Sequence, residues 1–166
     1  PHAGTAMAPE IAPFRNVTER QIQRDADLFV DQLWDFAPDV GATLIAANHS
    51  RYLVDLNRAE DETDALAVEG FTGDAHPRGV IWRVATDGAP TLTAPLPSAL
   101  FETIIDTYWR TYHHRIGNLL GARALEFGFA LIVAAHSMPS VGRAAHTDPG
   151  RHRADVGGVL GRGDHE

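Results

Sequence analysis

At 166 residues, 44% of them hydrophobic, the chain is long enough for one domain with a real core and too short for two comfortable ones. Its 22 acidic against 14 basic residues leave a net charge of -8, a balance that disfavours nucleic-acid binding. With no cysteine, disulfides, thiolate nucleophiles and sulfur-ligated zinc are excluded, so any metal must be held by His, Asp or Glu.

Every basic residue is Arg, which suits bidentate grip on carboxylates and leaves no lysine for amine nucleophile chemistry. No run approaches a membrane-spanning helix and no signal segment opens the chain, so a soluble, cytoplasmic protein is expected, with no membrane partner. The first residue is Pro1, and the last residues, Arg162 to Glu166, form no closing element. A fragment or processed chain is therefore expected.

Thr18-Glu19-Arg20-Gln21 has the spacing of a capping box, and Ile22, Phe29, Val30, Leu33 and Trp34 recur at helical intervals. One helix is predicted from about Thr18 to Ala37, with Gly41 as its stop. Thr43 to Ala47 is an apolar run of the kind buried in a parallel sheet, and Tyr52 to Leu56 is a second strand candidate. Residues 59–78, acidic and without periodicity, read as a long surface loop.

Val80 to Val84 reads as a strand. Pro95 to Ser98 then opens a helix whose Leu100, Ile104, Tyr108, Tyr112, Ile116 and Leu119 keep helical spacing, with Gly121 ending or bending it. Phe129 to Ala135 is the most strongly marked buried strand. Strands alternating with helices predict an α/β fold with a mostly parallel sheet and flanking helices, in a single domain over residues 1–166. A nucleotide-binding domain is unsupported, since no Gly-rich loop joins a strand to a helix.

Functional groups in parallel sheets gather beyond the carboxyl ends of strands, where His136 follows Leu131-Ile132-Val133. His2 occupies a similar place at the start of the chain, and the pair reads as two ligands of one zinc ion; capping of a strand is the other reading of His136. Ser50 to Arg58 packs two guanidiniums, a carboxylate and an amide into nine residues, the chemistry of anion recognition. An Arg51–Asp55 ion pair is the structural alternative. Ser137 and His136, adjacent at a strand end, point apart and cannot form a nucleophile–base pair.

His2-Ala3-Gly4, Asp25-Ala26-Asp27, Ser50 to Arg58, Tyr108 to His113 and Ala135-His136-Ser137-Met138 occur in an order that resembles the N-formylglutamate amidohydrolases. The resemblance covers nearly the whole chain. It implies a fold like that of zinc-dependent exopeptidases (phosphorylase/hydrolase-like), one Zn2+ ion, and hydrolysis of N-formyl-L-glutamate to formate and L-glutamate in histidine degradation. A small-molecule N-acyl amino acid is thus the implied partner.

Carried over residue by residue, the resemblance implies His2 and His136 as metal ligands and an acid near the first helix as the third. Asp27 is the first choice, with Asp31 and Asp25 as alternatives; Asp27 and Asp31 would share one helical face. Arg51, Asn57 and Arg58 are implied to bind the substrate carboxylates, and Asp55 to orient Arg58 or the attacking water. His113 takes the place of the family's Tyr-His pair and is implied to line the site, with a boundary residue as the other reading. His114 has no counterpart, and His49, His76, His146, His152 and His165 read as surface or loop residues.

The resemblance also marks departures. The family has a strand before the first residue here, an acid where this chain has Ala134, and a later segment whose glutamate is the general base. The alternatives are therefore an inactive truncated remnant binding metal or a dicarboxylate without turnover, and a deacylase of another N-acyl amino acid. Arg153 to Val156 and Gly161 to Gly163 carry a faint further resemblance, to which no role attaches.

Overall fold

The computed structural model describes residues 1–141 and 150–152. Its helices are α1 (Glu19–Asp25), α2 (Val30–Leu33), α3 (Ser98–Ile104) and α4 (Thr111–Phe127), with short 3-10 turns at Ala12–Phe14 and Ala37–Val40. A π-helical stretch, Ile105–Arg110, joins α3 to α4 without a break.

The capping box forms as expected: Thr18 accepts from the Gln21 backbone while the Gln21 side chain accepts from the Thr18 backbone. The long helix predicted to Ala37 does not form. It stops at Ala26, whose backbone is extended, and Phe29 adopts a left-handed φ of 64° before α2 begins. The cause lies in Asp25 and Asp27, which are both buried. Two positions apart on a continuous helix they would point about 200° from one another, so the break is what turns both inward. Strain of order 1–2 kcal/mol at Phe29 accompanies it. Asp31 starts the second helix exposed, so the predicted face shared with Asp27 does not exist.

The main core joins Ile11, Leu53, Val54, Val68, Val80, Ile81 and Leu96 to Phe101, Ile104 and Ile105 from α3 and its continuation. Cross-chain backbone bonds stitch these turn-rich segments together, among them Asp55 to Val80 (2.8 Å), Val80 to Glu62 (2.9 Å) and Leu96 to Ala67 (2.8 Å). Residues 59–78 form an irregular and mostly exposed segment, as the loop reading expects, but it is pinned to the core at one stretch. Thr63, Asp64, Ala67 and Val68 are buried, and the Asp64 charge is met by Arg83 at 2.9 Å.

Among the described residues no regular β-strand forms; the pairing is confined to isolated bridges, of which Ala6–His49 and Val68–Leu96 are parallel. Tyr52 to Leu56 folds as turns. At the Ala6–His49 bridge the chains run so close that a Cβ on Gly4 would collide with the Asn48 backbone. The apolar run from Phe129 is not buried either: Phe129 is 70% and Leu131 60% exposed. An apolar run looks alike whether or not its partner segments lie beside it. The last helix passes through Gly121 and ends at Gly128, which takes the left-handed cap.

Candidate functional site

His2 is fully enclosed, and its backbone carbonyl accepts from the Asp27 amide at 2.9 Å, which ties the start of the chain to the helix break. That tie brings the Asp27 carboxylate to both histidines. Its Oδ2 lies 2.8 Å from His136 Nδ1 and 3.6 Å from His2 Nδ1, and the two imidazole rings are 5.2 Å apart. Ser137 Oγ donates to Asp27 Oδ1 at 3.3 Å. Donor atoms from His2, Asp27 and His136 all fall within 4.8 Å of one another. Two imidazoles and a carboxylate at that spacing form a donor set suited to zinc.

Burial by itself would raise the Asp27 carboxyl, but the hydrogen bonds and charges of His136 and His2 outweigh it and hold the group well below the usual carboxylate range. Asp27 is therefore ionised at neutral pH. Asp31 and Asp25, the alternative third ligands, do not join the cluster.

Asp55 is buried and bound on all sides. His2 Nε2 donates to its Oδ1 at 2.6 Å, the Asn57 amide to the same oxygen at 2.9 Å, and the Trp82 indole to Oδ2 at 2.9 Å. Because a carboxylate only accepts, the proton of His2 resides on Nε2 and the Nδ1 lone pair faces inward. Arg51 donates into that lone pair at 2.5 Å. Its guanidinium also reaches the Asp25 carbonyl at 3.2 Å, lies 3.5 Å from Asp55 and stacks 4.6 Å from the Trp82 ring. The Arg51 Nε, buried, has no partner among the described residues.

The structure thus brings together His2, Asp27, His136, Arg51 and Asp55. Arg58 turns away to an exposed pair with Glu62 at 3.1 Å. Asn57 and His113 line a cavity of about 570 Å³ whose wall also includes Pro1 and Ala3 beside His2, and Ala135 beside His136. His113 lies against Trp109 and its Nε2 donates to the Leu56 carbonyl at 3.0 Å. Burial pushes its pKa down, so the ring is neutral near pH 7. His146 and His165, with the stretches after His152, lie outside the described residues.

Sequence reasoning missed Trp82, read only as part of an apolar strand. Its signal was available: a Trp in a buried run needs an acceptor for its N–H. It also left Asp25 as a spare ligand. Asp25 instead anchors a second polar node, accepting from Tyr52 Oη (2.6 Å), Thr86 Oγ1 (2.5 Å) and Arg24 Nε (3.1 Å).

Burial would raise the Asp25 carboxyl, yet those donors bring it down from 3.8 to about 2. A carboxyl depressed in the folded state stabilises the fold above its unfolded pKa, and the contribution fades as pH falls through the folded value. We expect about 2 kcal/mol to be lost between about pH 5 and pH 2. Urea unfolding across that range should show the decline, and Asp25→Asn should flatten it; equal slopes for both proteins would exclude this node as the source.

A family model described as N-formylglutamate amidohydrolase matches residues 1–165. The chain belongs to the N-formylglutamate amidohydrolase family. It is 33% identical over 144 residues to an N-formylglutamate deformylase of Pseudomonas aeruginosa PAO1 and 32% identical over 142 residues to one of Pseudomonas putida. Each match takes in 84% of this chain and 50% of the relative. A crystal structure of N-formylglutamate amidohydrolase from Ralstonia eutropha JMP134 superposes with a TM-score of 0.71 at 29% identity, over 84% of this chain and 52% of that one. The chain therefore spans about half the length of the amidohydrolases it matches.

Proposed function

We propose that this chain carries the metal site of an amidohydrolase that converts N-formyl-L-glutamate to formate and L-glutamate. The convergence of His2, Asp27 and His136, from three segments of a chain that matches the family throughout, is the observation that carries the reading. One zinc ion is the proposed cofactor, held by those three residues. When bound, it supplies a Lewis acid for the formyl carbonyl and lowers the pKa of a water toward about 7.

The protein's own groups then have distinct tasks. Asp27 brings the negative charge, and Asp55 fixes the tautomer of His2 so that its Nδ1 lone pair is the one offered to the metal once Arg51, which donates to it, moves aside. Arg51, half-buried beside His2, is the cation we assign to a substrate carboxylate. Asn57 lies along the cavity as a second polar contact, and Arg58 joins only by leaving Glu62. His113, neutral on the cavity wall, is the group we assign to carry a proton. In balance, one water is consumed, the amide C–N bond breaks, and the amine nitrogen takes up a proton.

The finer fold reading is an α/β domain with a mostly parallel sheet, like zinc exopeptidases; the two parallel bridges support it. No helix among the described residues is long and apolar enough to cross a membrane. We place the activity in the cytoplasm, in histidine degradation.

One observation favours binding without turnover: both carboxylates closest to His2 are already engaged, so neither is free as a general base. A single experiment separates the readings. Formate release from N-formyl-L-glutamate should vanish on chelation and return with equimolar zinc, with N-acetyl-L-glutamate a poorer substrate. Stoichiometric zinc without formate would leave a binding protein, and faster turnover of another acylamino acid would reassign the substrate.

A further inference from the structure

We propose that Trp82 is a positioning residue, using its edge to aim the carboxylate that orients His2 and its face to hold the Arg51 guanidinium. The inference rests on the reading of His2 as a metal ligand. Trp82 is 4% exposed, and its indole N–H donates to Asp55 Oδ2 at 2.9 Å. The other Asp55 oxygen takes the His2 proton at 2.6 Å. Were the indole N–H absent, Oδ2 would keep only Arg51, at 3.5 Å. Rotation of the carboxylate toward Arg51 would then draw Oδ1 off His2.

The same ring lies 4.6 Å under the Arg51 guanidinium, so one side chain sets two groups that must be correct together. Trp82 is itself fixed. Its carbonyl accepts from Arg15 and from Thr91, both at 2.6 Å, and its ring meets Tyr52 edge-on at 5.6 Å. Nothing in that arrangement is needed for burial alone, since Phe would fill most of the volume.

Trp82→Phe keeps the aromatic face and removes the N–H. Zinc affinity, measured by competition with a chromophoric chelator, should fall about 10- to 100-fold. In the metal-free protein at neutral pH, the ¹⁵N shifts of the His2 ring should move from one Nε2–H tautomer toward a mixture. Tyr52→Phe, which keeps the ring against Trp82 and removes only the hydroxyl that donates to Asp25, away from Asp55, should leave zinc affinity within about twofold. Equal losses in both variants, or a Trp82→Phe protein unchanged in affinity and His2 shifts, overturn the proposal. Should Trp82→Phe not fold, the indole N–H resonance of the wild type decides: it must shift on Asp55→Asn, and an indifferent resonance overturns the assignment. A wild-type chain that binds no zinc sinks the metal reading by itself, and the His2 tautomer then decides the role of Trp82.

Discussion

The zinc ion proposed at His2, Asp27 and His136 should leave the chain when Asp27 becomes Asn. The substitution preserves shape and volume but removes the one full negative charge that reaches both imidazoles, at 2.8 Å from His136 and 3.6 Å from His2. Loss of a group that merely orients a ligand costs about 10- to 100-fold in affinity, so loss of a ligand should exceed about 100-fold. His136→Ala should do the same. Asp31→Asn, exposed and outside the cluster, should change nothing. Zinc per chain after dialysis, for wild type and the three variants, checks this. A wild-type level in Asp27→Asn, or a loss in Asp31→Asn, would move the third ligand elsewhere.

Asp55→Ala should be the most destabilising single change in the site. It strips a buried carboxylate from His2, Trp82 and the Asn57 amide at once and leaves Arg51 without its nearest buried anion. Removing one partner from a buried charged network costs about 3–5 kcal/mol, because the remaining groups stay desolvated. For a chain of this size, that lowers the melting midpoint by on the order of 10 °C. The contrast is Glu60→Gln, which breaks the exposed pair with Arg110; such pairs contribute about 0–1 kcal/mol. Chemical denaturation of the two variants reads the difference. Equal, small losses would mean that water enters the Asp55 site.

The legible parts of the sequence were those decided locally. The capping box at Thr18 depends on four residues, and the α3–α4 spacing on one helical face. The break at Ala26 was not legible, because it serves two acids whose partners, His2 and Tyr52, lie 25 and 27 positions away. Of the two readings of Gly121, an end or a bend, the end does not occur; an isolated Gly is tolerated in a helix, and Gly128 supplies the left-handed cap.

His2 and His136 were paired by their like places at apparent strand ends and by resemblance, since no spacing rule joins residues so distant. The cluster of Ser50 to Arg58 divides in a way composition cannot foresee: Arg51 faces inward to Trp82 and His2, while Arg58 finds Glu62 one turn on. The burial of Thr63, Asp64, Ala67 and Val68 within the otherwise exposed 59–78 segment was hidden by its charge, because the Asp64 carboxylate is met by Arg83.

The π-helical stretch between α3 and α4 has a consequence for which way the second half of that rod faces. A π turn accommodates one residue more than an α turn, and each residue advances a helix by about 100°. Everything from Thr111 onward is therefore set in azimuth by a single inserted position, not by its own composition. Tyr112, His113 and His114 are three neighbours on the rod, and the insertion selects which of them lies against Trp109 and the Leu56 carbonyl. A chain shortened by one residue within Ile105–Arg110 would keep every side chain from Thr111 onward and bring a different one of the three to the Leu56 carbonyl.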